Sequence, residues 1–160
     1  MLKPLLKTLH EVGAVGVIGS FAACIVLVAT APSYSLIGYA AVRHGIAAIS
    51  QWLLVPSLAL VSISGLLAIA ANKAYVDAGW AWLKAFLGIS LFEGTLLTVA
   101  AGARRAAELS AMAASGTADP GELAQVLHTE WAGLWLLMGL SLANILLAVW
   151  RPRLRRGAAP

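Results

Sequence analysis

Charge is scarce in this chain. Of its 160 residues only 11% are Asp, Glu, Lys or Arg, while 61% are hydrophobic. Soluble globular domains carry roughly 25% charge, and no soluble core of this length hides so much apolar surface. The bilayer must therefore be the solvent for much of it. Cysteine is almost missing as well: the single Cys24 excludes an internal disulfide and any multi-cysteine metal site. There is no nucleotide-binding glycine loop, no Ser/His/Asp array and no zinc-protease motif. The net charge of +4 would suggest nucleic acid in a soluble protein. Here the charges fall between and outside apolar runs, so they read as topology signals facing a lipid bilayer, with no nucleic-acid partner.

Four apolar runs are present, at 12–31, 52–71, 85–103 and 131–150. A hydrocarbon core of about 30 Å needs roughly 20 helical residues, and a span must be helical to satisfy its own backbone. Trp52, Trp80, Trp82, Trp131 and Trp150 stand at or near the run ends, where indole rings favour the headgroup level. The expected fold is all-α: a polytopic membrane protein, one integral membrane domain over 1–160, built as a four-helix transmembrane bundle.

The first run carries Lys3, Lys7 and a small-residue site at Ala29, Thr30 and Ala31, in the manner of a cleaved signal peptide. It is longer than the usual 7–15 apolar residues and Pro32 would follow the cut, so we expect it to be retained. Alternating helices put Lys3, Lys7, Lys73, Lys84, Arg151, Arg153, Arg155 and Arg156 on one side, against Arg43, Arg104 and Arg105 on the other. The positive-inside bias then makes both termini cytoplasmic, in a bacterial inner membrane. Between the first two runs, Tyr39, Val42, Ile46 and Ile49 have helical spacing and read as an interfacial helix or an outward extension of the second span. The connection 104–130 mixes alanines with "ASGTADPGE", a flexible turn of Gly, Asp and Pro, and is expected to lie outside the spans.

Inside the spans, small residues recur on helical faces: Gly13, Gly16, Ser20 and Ala23 in the first, Ser90, Gly94, Thr98 and Gly102 in the third. Such rows let backbones approach closely, within a bundle or between subunits. Pro56 withdraws a donor from the second span and predicts a kink or local opening. Glu93 falls near the middle of the third span, where an acid costs roughly 2.5–3.5 kcal/mol to insert. Ser20, Ser62, Ser64 and Ser141 lie at similar depth, with Asn144 about a turn deeper. Glu93 is expected to be pinned by such groups, to handle a proton or cation, or to serve as the counter-charge of a cofactor. His10 opens the first span on the cytoplasmic side, and the glycines after it leave space for tight packing or for a flat ring. His44, His128, Glu130 and Glu108 share the other side without metal-ligand spacing, and no metal site is expected from them.

The stretch "LHEVGAVGVIGSF", Arg43, Pro56 and Gly65, "WAWLK" with Trp82 and Lys84, and the closing "LLAVWRP" together resemble a group of four-helix bacterial membrane proteins. These are the haem-associated protoporphyrinogen oxidase family, the copper-resistance D-type membrane domains and uncharacterised integral membrane relatives. The resemblance implies His10 as an axial ligand to haem b and Lys84 as a second important residue. Where that oxidase family has a histidine deep in its third helix, this chain has Phe92, Glu93 and Thr95, which leaves two alternatives, a five-coordinate haem on His10 or no haem. Three functional classes follow. The first is an accessory or assembly subunit of a membrane complex, in a helix-mediated homo- or hetero-oligomer. The second is a b-haem redox protein working with membrane or periplasmic redox partners. The third is a proton- or cation-handling protein centred on Glu93.

Overall fold

The computed structural model describes residues 2–32, 35–117 and 119–150, so the basic tail 151–156 lies outside the described residues. Every regular element among them is helical. Four long helices form the bundle: α1, Leu2–Thr30; α2, Leu36–Ala70; α3, Gly79–Ala114; and α4, Pro120–Trp150. All four are long and apolar enough to cross a membrane. One further helical turn, Lys73–Val76, joins α2 to α3 at the end of the bundle where α1 begins and α4 ends. The opposite end, where α1 meets α2 and α3 meets α4, is the loop end.

Two helices outrun the bilayer. At 1.5 Å per residue, the 35 residues of α2 and 36 of α3 reach more than 50 Å, against a hydrocarbon core of about 30 Å. The excess is at the loop end, where the first half of α2 packs on the last half of α3. Alanines make that contact close: Ala40 on α2 and Ala103, Ala106 and Ala107 on α3 are all buried. The segment before Trp52 is thus the outward extension of the second span. The connection 104–130 is a correction, because it is helix on both sides of a short turn. Gly116, with φ +79°, ends α3 in the left-handed conformation that favours glycine, and Thr117 N–H closes back on the Met112 carbonyl. Asp119 then caps α4 by accepting from Gly121 N–H at 2.9 Å, with Pro120 as the first helical residue.

Pro56 has the expected local consequence. The turn just before it, Ser50–Leu54, is a π-helix, with Val55 N–H bonded to the Ser50 carbonyl. A second π segment, Thr95–Ala100, interrupts α3 without a proline. Gly13 and Gly16 of α1 are spent inside the bundle, while Gly19 meets nothing within 4 Å. A Cβ on Gly13 would stand 2.7 Å from Val61 Cγ2, and one on Gly16 would strike Ser57 Oγ. On α3, Leu137 of α4 fills the space over Gly94, and Glu130 lies beside Gly102. Phe21, Cys24, Ile46, Leu54, Leu91 and Leu134 are among the core residues these approaches enclose.

Candidate functional site

The most deeply buried charged groups are Arg43 on α2 and Glu130 on α4. Their side chains are 0% and 1% exposed, and Arg43 Nη2 donates to Glu130 Oε2. Arg43 falls on the helical stripe of Ala40, Ile46 and Ser50, all of which face inward. Glu130 opens the apolar run of α4 and lies beside Gly102 of α3, at a distance where an added Cβ would make ordinary van der Waals contact with it. Around the pair lie Tyr39 and the contact between Cys24 Sγ and Ser50 Oγ at 3.9 Å. Arg43 Nε and Nη1 and Glu130 Oε1 are buried without a hydrogen-bond partner among the described residues. A pair of this kind ties α2 to α4 across 87 residues of sequence. It also leaves one acceptor and two donors that only a small polar molecule could satisfy.

This overturns one expectation: Arg43 is no surface topology signal. Glu130 is taken by Arg43, while His44 and His128 are exposed. No trio of metal-ligating side chains gathers among the described residues. The signal in the sequence was the pairing of one basic and one acidic residue, each ahead of a neighbouring span. Arg43 lies in register with the apolar stripe rather than off it.

Glu93 also differs from expectation. It is exposed on the outer face of α3, in line with Phe86, Ile89 and Leu97, which are exposed as well. Eleven residues separate it from Trp82 on one side and from Arg104 on the other, about 16 Å each way along a helix. That places it near the middle of a hydrocarbon layer of about 30 Å. It makes no hydrogen bond or ion pair among the described residues. The serines expected to hold it are engaged elsewhere. Ser20, Ser64 and Ser141 donate to the carbonyls of Gly16, Leu60 and Leu137, each four residues back on its own helix. In an apolar medium that bond is always within reach of a serine, so it outcompetes a partner on another helix. Ser62 Oγ is buried without a partner.

At the end where α1 begins and α4 ends, His10 turns towards α2. Its Nδ1 is 3.0 Å from the Val61 carbonyl and 3.3 Å from Ser64 Oγ, and its ring packs on Gly65. Donation from Nδ1 to the carbonyl would leave Nε2 as the free lone pair, as in many metal-ligating histidines. Of the glycines that follow it, Gly13 and Gly16 seat Val61 and Ser57. Lys84 on α3 stands within electrostatic reach of His10. Its carbonyl accepts from Asn144 Nδ2 at 3.4 Å, while Asn144 Oδ1 is buried and unpartnered. The two residues singled out by resemblance thus share one end of the bundle, and Asn144 joins them rather than Glu93. Pro56 is exposed, its role being the wide turn before it.

Two shallow grooves flank α3 in its loop half. One runs between α3 and α4 past Arg105, Gln125 and Thr129. The other runs between α2 and α3 past Gln51 and Arg104. Neither borders His10.

No protein-family model matches the chain, nor does any curated protein or solved structure. What fold and site define is a class: a multi-pass helical membrane protein, closed by a buried ion pair at one end and carrying an acid on its outer face.

Proposed function

We propose that this protein is an accessory or assembly subunit of a complex in the bacterial inner membrane, with both termini cytoplasmic, and that it meets its partner on the Glu93 face of α3. One observation carries this reading: the exposure of Glu93 at mid-depth without a partner among the described residues. A carboxyl facing lipid costs roughly 2.5–3.5 kcal/mol. A neighbouring helix that brings a lysine, an arginine or another hydrogen-bond donor to the same depth removes that cost. The small rows do not serve this purpose, since Gly13, Gly16, Gly94 and Gly102 already pack within the bundle. The orientation draws support from the charges. Lys7, Lys73 and Lys84 lie at the end where α1 begins and α4 ends, while Arg43 at the other end is neutralised inside the protein.

The test is purification of the tagged full-length chain from its native membranes in a mild detergent, beside Glu93→Leu. Partners or a defined oligomer retained by the native chain and lost in Glu93→Leu support the reading. The same composition and size for both would overturn it. A second reading rests on the same exposure: a carboxyl open to its surroundings is placed to take up and release a proton or cation. That reading predicts pH-dependent flux in proteoliposomes of the protein alone, abolished by Glu93→Gln. The haem reading predicts a Soret band in the purified protein that disappears in His10→Ala.

A further inference from the structure

The groove between α2 and α3 brings the two π segments of the fold together. Gln51 belongs to the wide turn of α2, Leu96 and Ala100 belong to that of α3, and Val55 completes the apolar lining. A π segment adds a residue to a turn and displaces the ridge that would otherwise fill such a furrow, and these segments gather at functional sites. The groove encloses about 190 Å³ and is lined by only five residues, which suits a chain of methylenes and is too little to seat a helix.

Its upper rim is Arg104. The position is eleven residues from Glu93, about 16 Å along α3, and so at the edge of the hydrocarbon layer where phosphates begin. Arg104 is exposed and makes no ion pair among the described residues. Its neighbour provides the contrast. Arg105, on the rim of the other groove, is bound to Glu108 at 3.3 Å and to Glu122 through both Nε and Nη2. Among the described residues, one groove therefore ends in a cation without an ion pair and the other in a neutralised one.

We propose that the Gln51–Arg104 groove is a binding site for one anionic phospholipid. The phosphate is held by the Arg104 guanidinium, whose planar donors match phosphate oxygens. The Gln51 amide donates alongside, and an acyl chain lies over Ala100, Leu96 and Val55 towards mid-membrane. Charge complementarity selects the occupant: an apolar furrow of chain width that opens at phosphate depth beneath Arg104.

Native mass spectrometry of the full-length protein in detergent tests this, with added phosphatidylglycerol or phosphatidylcholine of identical acyl chains. The expected result is one phosphatidylglycerol retained about tenfold better than phosphatidylcholine. That preference should vanish in Arg104→Gln and persist in Arg105→Gln. Ala100→Phe fills the floor and should lower retention of both lipids. Both arginines are exposed, so these variants leave the core intact, and protection of Cys24 from maleimide checks that they fold. Equal retention of the two lipids, or equal losses in Arg104→Gln and Arg105→Gln, would overturn the proposal. So would a second copy of the chain, rather than a lipid, being the species whose retention depends on Arg104.

Discussion

Removal of Glu130 should be among the most damaging single changes to this fold. The Arg43 guanidinium is fully buried and its bonded atom has one partner, Glu130. Truncation to Glu130→Ala leaves a positive charge inside the bundle, with Nη2 joining Nε and Nη1 as unpartnered donors. Breaking a buried pair in this way costs about 3–5 kcal/mol, which raises the unfolded fraction by about 10²–10⁴-fold. The change Arg43→Met should cost a similar amount, by stranding Glu130 among the alanines of α3. The combined variant Arg43→Met with Glu130→Leu removes both charges and refills most of the volume. It should recover to within about 1 kcal/mol of the native chain or exceed it. The assay is reversible unfolding in mixed micelles with increasing dodecyl sulfate, followed by tryptophan fluorescence, for the native chain, both single variants and the double. A single-variant loss below about 1 kcal/mol would mean that water already reaches the pair. A double variant no better than the singles would mean that packing, not charge, holds α2 to α4. Either outcome refutes the reasoning.

Two other expectations follow from the packing. Gly13→Ala places a methyl 2.7 Å from Val61 Cγ2 and 3.0 Å from the Ser57 carbonyl. It must push α1 off α2 and should cost about 1–3 kcal/mol in the same unfolding assay. Gly19→Ala on the same helix meets nothing within 4 Å, and should be neutral or stabilising by up to about 1 kcal/mol. Cys24 is fully buried against Ser50. Its reaction with a maleimide in mild detergent should be at least about a hundredfold slower than in unfolding concentrations of dodecyl sulfate, with the rate tracking opening of the bundle. Fast labelling of the folded chain would show that the α1–α2 seam is not closed.

The helices were legible because each rests on a local signal. Unbroken apolar runs give the four spans, and tryptophans mark their edges. Pro56 announces the wide turn before it, since a missing N–H acts on its own helix whatever surrounds it. The loop-end extension was half legible: Tyr39, Val42, Ile46 and Ile49 gave its period, but not the partner that α3 supplies through Ala103, Ala106 and Ala107. The turn around Gly116 and Asp119 was read too long, because the alanine-rich stretch before it is polar enough to imitate a loop and still makes an excellent helix. The second π segment has no proline to announce it.

What could not be read was which face each polar residue presents. Glu93 and Arg43 show the difficulty from opposite sides. Depth along a helix follows from counting residues, but azimuth depends on where the neighbours pack, and a shift of two positions turns a side chain through more than half a circle. By depth alone the mid-span glutamate belongs inside and the arginine ahead of the second span belongs in water. The structure reverses both, because small residues decide which faces close. Ala103, Ala106 and Ala107 of α3 draw the Arg43 face of α2 inward, and Gly94 and Gly102 turn the opposite face of α3 to α4. Once those two contacts are made, only the Phe86–Glu93–Leu97 face of α3 is left for the bilayer. The exposure of Glu93 is thus a consequence of the same packing that buries the Arg43–Glu130 pair. A variant that loosens that packing, such as Gly102→Leu, should disturb both ends of the argument at once. It should lower stability by separating α3 from α4 at Glu130, and weaken whatever association depends on Glu93 by rotating α3 away from its partner. Loss of stability with association unchanged would mean that the two faces of α3 are set independently.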